Sequence, residues 1–196
     1  MRASPTRPRR RLRPRPRLRA RLLPASLVVS LVVSLVVVIG AAGCTPRLSL
    51  ETLDRQLYAT SLPAFLDWWR GEQAAAQGVT PATIDRWLRT DPARLDAPAA
   101  RRRSWDVSTD LCSMSPDAGA VFDFRGPCIR HDLAWRNLKR LDRQAGGGIS
   151  THARRLAASR QFLRDMQLTC TWRPVLQRPG CRALAEVYFR AVAAVS

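Results

Sequence analysis

The sequence predicts an all-α fold from three observations: helical spacing of apolar residues, helix-capping signals and the lack of any strand pattern. Apolar residues recur every three or four positions from Leu50 to Trp69, as on the buried face of an amphipathic helix. Thr80 before Pro81 marks a helix start, because threonine caps free amides and proline suits the first turn. No segment alternates apolar and polar residues as a half-buried strand does, so we expect helices alone.

The first 44 residues differ in composition from the rest of the chain. Residues 1–21 contain ten arginines and no acidic residue, and such a segment is expected to be disordered. Leu22 to Gly43 carries no charge, is long enough to span a bilayer, and is oriented by the arginines with residues 1–21 in the cytoplasm. A retained membrane anchor and a cleaved signal peptide both fit this pattern.

The segment ends with small residues and a cysteine, Gly40-Ala-Ala-Gly-Cys44. This sequence resembles the processing site of bacterial lipoproteins. Cys44 is then the predicted lipid anchor, although Ala41 stands where leucine is usual. In every case we expect the following domain outside the cytoplasm, tethered to the cell membrane or secreted. Ten of the net +18 charges belong to residues 1–21, and the membrane-targeting pattern explains them better than a nucleic-acid partner does.

Residues 45–104 are predicted to form a helical lead-in to the domain at 105–196. Trp68, Trp69 and Trp87 either pack between two short helices or form a membrane-facing patch, and we favour packing. Residues 101–103 are three arginines, which we interpret as a solvated linker, although an anionic lipid surface would attract them.

The stretch from Cys128 to Asn137 contains His131 directly followed by Asp132, and no glycine or proline interrupts it before Gly146. On the helix that this predicts, Cys128, His131 and Trp135 share one face and Asp132 points about 100° away. Taken alone, a histidine on an apolar stripe is more often a core residue than a catalytic one.

A second stretch, Ser108 to Cys112, precedes a loop at residues 113–125 that is rich in Pro, Gly, Asp and Ser. A bridge between Cys112 and Cys128 would bring Asp110 close to Asp132. Two carboxylates with loop carbonyls suit Ca²⁺, which tolerates irregular oxygen cages. A neutral imidazole beside such an ion can act as a general base on water.

These motifs together resemble the small secreted phospholipases A2 of bacteria and fungi. The resemblance covers about residues 105–192 and extends more faintly back to about residue 50. It rests on an ordered set of motifs: W-x-x-S-T-D-L-C at Trp105 to Cys112, C-x-R-H-D-x-x-x-R-N at Cys128 to Asn137, F-x-x-D-M-x-x-x-C at Phe162 to Cys170, and the aromatic residues Tyr188 and Phe189.

The resemblance implies a calcium-dependent hydrolase of lipid metabolism that cleaves the sn-2 ester of glycerophospholipids. It assigns His131 as the base that activates water, and Asp110, Asp132 and the Leu111 carbonyl as calcium ligands. Two carboxylates alone predict weak affinity, roughly 10⁻⁴ to 10⁻³ M. The expected partner is a glycerophospholipid membrane surface, and we expect a monomer.

Five cysteines in an exported chain leave one unpaired, and Cys44 is the candidate. Order and spacing favour the disulfides Cys112–Cys128 and Cys170–Cys181, which the resemblance also implies. The predicted domain is therefore small and disulfide-stapled, with the His131 helix antiparallel to a second long helix that carries Ser159.

The last two helices have predicted inner faces. Ser150 or Thr151 caps a helix that runs to about Gln167, and a closing helix spans Arg182 to Val195. The inward residues are expected to be Leu156, Ser159, Phe162, Leu163 and Met166 in the first, and Leu184, Val187, Tyr188 and Ala191 in the second.

Ser159 marks a departure from the resembled family, which has an aspartate there to fix the tautomer of the histidine. The register is firm because Phe162, Asp165 and Cys170 keep their spacing, and Asp165 lies about 240° further around the helix. Serine can accept the imidazole N–H but is neutral. Two alternatives to an active enzyme therefore stand: a catalytically weak or silent calcium-dependent lipid-binding relative, and a structural surface lipoprotein.

Overall fold

The computed structural model describes residues 48–102, 104–112 and 122–196, and within them it confirms the all-α prediction. The basic segment, the targeting segment, Cys44, Arg103 and most of the predicted loop at 113–125 lie outside the described residues. The described α-helices are α1 (Leu50–Asp54), α2 (Leu62–Gln77), α3 (Pro81–Thr90), α4 (Pro98–Arg101), α5 (Arg125–Ala145), α6 (His152–Thr171) and α7 (Arg178–Ala193). None of them is long and apolar enough to cross a bilayer.

The stretch from Leu50 to Trp69, where apolar residues keep helical spacing, divides into two helices at Thr60 and Ser61. Helix α1 begins at a capping box formed by Ser49 and Thr52, and a π-helical turn at Arg55–Ala59 follows it. Ser61 then starts α2, because its side chain accepts a hydrogen bond from the Ala64 amide and a proline occupies the first turn. The apolar spacing continues across this break, so both helices contribute to the same core.

Helix α2 positions the segment that carries Asp110. Trp69 is only 1% exposed, and its indole Nε1 donates to the Val107 carbonyl at 2.8 Å. Gln73 Nε2 donates to the same carbonyl and to that of Leu95, both at 2.8 Å. Buried polar groups are costly unless they are paired, so these bonds hold the backbone at Leu95 and Val107 against α2.

The tryptophans of the lead-in are engaged in packing, as we favoured. Trp68 meets the ring of Trp105 edge-on at a centroid distance of 5.1 Å, and Trp69 is buried. Trp87 is half-buried, with the guanidinium of Arg94 lying 5.3 Å from its ring centroid.

Helices α5 and α6 are the two long helices of the domain. Helix α5 ends at Gly146, whose φ of 77° closes the helix in a left-handed conformation that favours glycine. The connection at 146–151 is short, so α6 folds back antiparallel to α5. Thr151 caps α6, because its side chain accepts a hydrogen bond from the Arg154 amide. Helix α6 continues to Thr171, beyond the predicted end at Gln167.

Both predicted disulfides are confirmed. Cys112 is bonded to Cys128 with a Cα–Cα distance of 5.4 Å, and this bridge ties the segment that carries Asp110 to α5. Cys170 is bonded to Cys181 with a Cα–Cα distance of 5.6 Å, and this bridge closes the turn between α6 and α7.

The predicted inner face of the closing helix is partly wrong. Val187 is 60% exposed, and Ala191 is exposed as well, although it borders a cleft. The buried stripe instead follows Cys181, Ala185, Tyr188 and Val192, whose spacing matches the helical period of 3.6 residues.

Candidate active site

His131 lies on α5 between aromatic rings and the hydroxyl of Ser159. Its Nε2 is 3.3 Å from Ser159 Oγ, and its ring centroid is 4.9 Å from that of Phe162 and 5.8 Å from that of Trp135. Burial lowers the pKa of His131 to about 4, because the aromatic surroundings disfavour the charged imidazolium. The imidazole is therefore neutral at physiological pH, as a general base must be.

Ser159 is fully buried on α6, and the antiparallel packing of α5 and α6 brings it opposite the histidine. Its Oγ also lies 2.9 Å from Ser196 Oγ, and Ser196 Oγ donates to the Val192 carbonyl at 2.9 Å. Sequence reasoning missed Ser196, because no motif surrounds it and the contact joins residues 37 positions apart.

Asp165 faces away from the histidine, in agreement with the helical geometry expected from the sequence. Its Oδ1 lies 3.4 Å from Arg130 Nη1, and both side chains are buried. The guanidinium of Arg130 also donates to the carbonyls of Leu57 at 3.3 Å and Thr60 at 3.1 Å. This pair therefore joins α5 and α6 to the lead-in.

Asp132 is held by the segment that precedes the disulfide. Its Oδ2 accepts hydrogen bonds from Thr109 Oγ1 at 2.6 Å and from the Asp110 amide at 3.2 Å. Burial, with the charge of Asp110, raises the pKa of Asp132 to about 8, although the hydrogen bond from Thr109 acts in the opposite direction. Leu111 follows with a φ of 59°, a left-handed conformation that is uncommon for leucine.

Arg136, one helical turn beyond Asp132, interacts with Asp110. Its Nη2 donates to Asp110 Oδ1 at 2.6 Å, while Nη1 donates to Asp96 at 3.0 Å and to Ser108 Oγ at 2.9 Å. Burial alone would raise the pKa of the Asp110 carboxyl, but hydrogen bonding, first of all from Arg136, outweighs burial and lowers it.

The residues predicted to bind calcium fit a hard cation. Among the described residues no three His, Cys, Asp or Glu side chains form a metal cluster, so carboxylates alone do not make a complete site. The disulfide nevertheless brings Asp110 and Asp132 together, and the raised pKa of Asp132 shows that burial disfavours its carboxylate form, which a bound cation would stabilise. With the Leu111 carbonyl these are the oxygen donors that Ca²⁺ prefers.

A cleft of about 460 Å³ brings the imidazole and both carboxylates to one surface. Its size falls within the range of small-molecule sites, and most of its wall is apolar. Arg136 and Lys139 supply positive charge beside the carboxylates. A neutral base at an apolar cleft suits the hydrolysis of an ester carried by a lipid. The apolar part of the wall is formed by Trp135, Phe162, Tyr188, Ala191, Val192 and Val195.

Comparison with known proteins agrees with this chemistry. A family model described as prokaryotic phospholipase A2 matches residues 82–196, and the chain belongs to that family. The match covers the cleft and its flanking helices. The match begins at residue 82 and therefore includes most of α3, whereas the clear sequence resemblance begins at about residue 105.

A secretory phospholipase A2 of the fungus Arthroderma benhamiae is 34% identical to the chain over 91 residues. The matched region is 43% of this chain and 55% of that relative, so the chain spans about half the length of the curated relative that it matches. The two disulfides are typical of proteins outside the cytoplasm, as expected from the sequence.

Proposed function

We propose that the protein is a calcium-dependent phospholipase A2 that hydrolyses the sn-2 ester of glycerophospholipids. The observation that carries the proposal is the position of His131, whose Nε2 lies 3.3 Å from Ser159 Oγ while the same cleft contains Asp110, Leu111 and Asp132. Family membership supports the reaction class, and the apolar wall of the cleft suits an acyl chain.

The proposed reaction begins with a water molecule at the second imidazole nitrogen, Nδ1. His131 Nδ1 takes a proton from this water, and the resulting hydroxide attacks the carbonyl carbon of the ester. The imidazolium then returns the proton to the departing glycerol oxygen. The products are a free fatty acid and a lysophospholipid.

Asp110, Asp132 and the Leu111 carbonyl are the proposed ligands of the calcium ion. When bound, the ion supplies positive charge for the phosphate of the substrate and for the oxygen of the ester carbonyl. With two carboxylates the expected dissociation constant is roughly 10⁻⁴ to 10⁻³ M, as in extracellular calcium modules.

A glycerophospholipid surface is the proposed partner, and the turn between α6 and α7 is the proposed contact. Trp172 is 81% exposed and Leu176 is 95% exposed in a turn that the Cys170–Cys181 disulfide closes. Tryptophan suits the headgroup level of a membrane, and nearby arginines attract anionic lipid. The arginines that flank this turn are Arg173, Arg178 and Arg182.

Tethering to the membrane through Cys44 remains part of the proposal. Mass spectrometry of the mature protein is expected to find a diacylglyceryl group on Cys44. An intact Met1 would instead indicate a retained anchor, and unmodified protein released into the medium would exclude both tethers.

Hydrolysis of phosphatidylcholine labelled separately at sn-1 and sn-2 tests the proposed function. We expect release of the sn-2 chain with calcium, no release with chelator, and no release by His131→Ala. Asp132→Asn removes a calcium ligand and should abolish turnover, whereas Asp67→Asn removes an exposed carboxylate on α2 and serves as the matched control.

Three outcomes would contradict parts of this proposal. Cleavage at sn-1 would exclude the positional specificity, and turnover in chelator would exclude the role of calcium. Vesicle binding without any hydrolysis would indicate the silent lipid-binding relative, which the family match does not favour.

A further inference from the structure

The hydroxyl of Ser159 can either donate a hydrogen bond to His131 or accept one from it. The two cases select opposite tautomers of the imidazole. A serine that accepts holds the proton on Nε2 and leaves the lone pair of Nδ1 free for water, whereas a serine that donates does the reverse. An ionised aspartate at this position could only accept a hydrogen bond. With serine, the direction of the bond depends on the other hydrogen bonds that the hydroxyl makes.

The carbonyl of Val192 fixes that direction. Ser196 Oγ donates to the Val192 carbonyl at 2.9 Å, and a carbonyl oxygen can only accept. The Ser196 proton is thereby committed, so at 2.9 Å its oxygen accepts from the Ser159 hydroxyl. Ser159 in turn has no proton left for His131, and at 3.3 Å it accepts from Nε2–H.

We propose that Ser196 and the Val192 carbonyl are positioning groups that hold His131 in the Nε2–H tautomer. The relay runs from His131 through the hydroxyls of Ser159 and Ser196 to the backbone of α7. It does the orienting part of the work of a carboxylate without adding a buried negative charge. This inference rests on the proposed function only in its last step, which is the use of the free Nδ1 as the base.

Helix α6 anchors the far end of this relay. The main-chain oxygen of Ser196 accepts hydrogen bonds from His152 Nδ1 at 2.9 Å and from Arg155 Nε at 3.2 Å. Ser196 is only 8% exposed, and the Arg155 guanidinium lies 5.8 Å from the ring centroid of Trp135 in the wall of the cleft. A buried hydroxyl with fixed neighbours cannot easily exchange its partners for water, so the direction of the relay is maintained.

The first test is a ¹⁵N nuclear magnetic resonance measurement of the histidine tautomers in the purified protein. The sequence has two histidines, and His131→Ala assigns their signals because only those of His152 remain. We expect His131 in the Nε2–H form. In Ser196→Ala the Ser159 proton is released to donate to Nε2, so the Nδ1–H form should become populated. Ser196→Thr, which keeps the hydroxyl, should behave as the unmodified protein does.

The second test is the turnover of these variants on phospholipid with calcium. Ser196→Ala should lower kcat by about tenfold with little change in KM, because general base catalysis contributes about 10²–10⁴-fold and depends on the correct tautomer. In the Ser159→Ala background the same change should have no further effect, since the relay is already broken. Ser104→Ala, at an exposed serine, is the matched control, and thermal melting checks that each variant is folded.

The two measurements separate failure of the relay from failure of the proposed function. An unchanged His131 tautomer in folded Ser196→Ala would overturn the relay, as would additive losses of kcat in the double variant. A tautomer change as expected, in a protein that hydrolyses no phospholipid, would support the relay and overturn the proposed function.

Discussion

Arg136 Nη2 donates to Asp110 Oδ1 at 2.6 Å, which places a permanent positive charge beside one of the two proposed calcium carboxylates. The same guanidinium contacts Asp96 and Ser108, so α5 is tied to the segment that approaches the cleft. A calcium ion bound at the proposed site would therefore compete with Arg136 for the negative charge of Asp110.

Removing this charge should strengthen calcium binding. In Arg136→Gln the Asp110 carboxylate loses its cationic partner, and we expect the calcium dissociation constant to fall by about threefold to tenfold, on the order of 1 kcal/mol. Isothermal titration calorimetry measures this change. Arg143→Gln removes an equal charge from the exposed end of the same helix and serves as the control. If Arg136→Gln binds calcium more weakly than this control does, the proposed competition is contradicted.

Asp132 gives the calcium affinity a predictable pH dependence. Burial, with the charge of Asp110, raises the pKa of Asp132 from 3.8 to about 8, so the calcium-free protein keeps this proton at neutral pH. Calcium must displace it, and the affinity should rise about tenfold per pH unit up to about pH 8. Calorimetry in buffers of different protonation enthalpy should detect about one proton released per ion. Binding that is independent of pH below 8 would contradict this assignment.

The same pKa predicts the stability of the calcium-free protein. Between pH 3.8 and about 8 the folded protein holds a proton that the unfolded chain has lost, so the free energy of unfolding should fall as the pH rises. Urea unfolding in chelator measures this slope. Asp132→Asn cannot ionise and should lose this part of the slope, whereas Asp67→Asn should retain it.

Much of the fold was predictable because its signals are local. Thr80 and Thr151 cap helices as their side chains suggest, and Gly146 ends α5 where a left-handed residue is needed. Cysteine order and the family motifs predicted both disulfides. Val187 was wrongly predicted to face inward. Helix α7 has more apolar residues than its buried face contains, so apolar character alone does not identify that face.

The site was predictable only where a motif covers it. The contacts of Asp132 with Thr109 and Asp110 lie within two motifs, although the distance between those motifs depends on the disulfide. The contacts of Ser196 with Ser159 and of Arg130 with the lead-in join residues 37 and more positions apart. No local pattern signals such pairs, because they are set by the packing of whole helices.

The buried pair of Arg130 and Asp165 should be required for stability. Asp165→Ala leaves a buried guanidinium with no carboxylate, and breaking such a pair costs about 3–5 kcal/mol. Chemical denaturation measures this loss. Asp67→Ala, which breaks an exposed pair with Arg70, should cost about 1 kcal/mol or less. Replacing both partners with Arg130→Met and Asp165→Leu should recover only part of the stability, because it also removes the hydrogen bonds from Arg130 to the carbonyls of Leu57 and Thr60. A loss in Asp165→Ala no larger than that in Asp67→Ala would contradict the desolvation argument.

The exposed turn between α6 and α7 should matter for membranes and not for chemistry. Trp172→Ala with Leu176→Ser removes two apolar side chains that are 81% and 95% exposed. We expect binding to vesicles to weaken by about tenfold or more, since each fully buried large apolar side chain contributes about 1.5–3 kcal/mol. Turnover of a short-chain monomeric substrate should be unchanged. Val187→Ser, at an exposed apolar residue elsewhere, is the control, and an equal loss in that variant would exclude a special role for the turn.

Ser159→Asp introduces the carboxylate that the sequence resemblance implies at this position. One of its oxygens would accept from His131 Nε2–H, and the Ser196 hydroxyl would turn from the Val192 carbonyl to donate to the other. The new negative charge would stabilise the imidazolium formed when water gives up its proton, so calcium-dependent turnover should rise. Loss of a charged orienting group costs serine proteases about 10⁴-fold, and since serine already holds the tautomer here the gain should be smaller, ~10–10³-fold.

The experiment compares Ser159→Asp with the unmodified protein on phospholipid vesicles at saturating calcium, with His131→Ala in both backgrounds. Calcium affinity should change little, because Ser159 contacts His131 and Ser196, whereas Asp132 contacts Thr109 and Asp110. His131→Ala should abolish turnover in both, which ties any gain to the imidazole. Burying a carboxylate has a desolvation cost that its imidazole partner offsets, so thermal melting should find the variant folded. An unchanged kcat in that folded protein would mean that a charged orienting group does not change the turnover rate. Proton transfer through His131 would then not be the rate-limiting step.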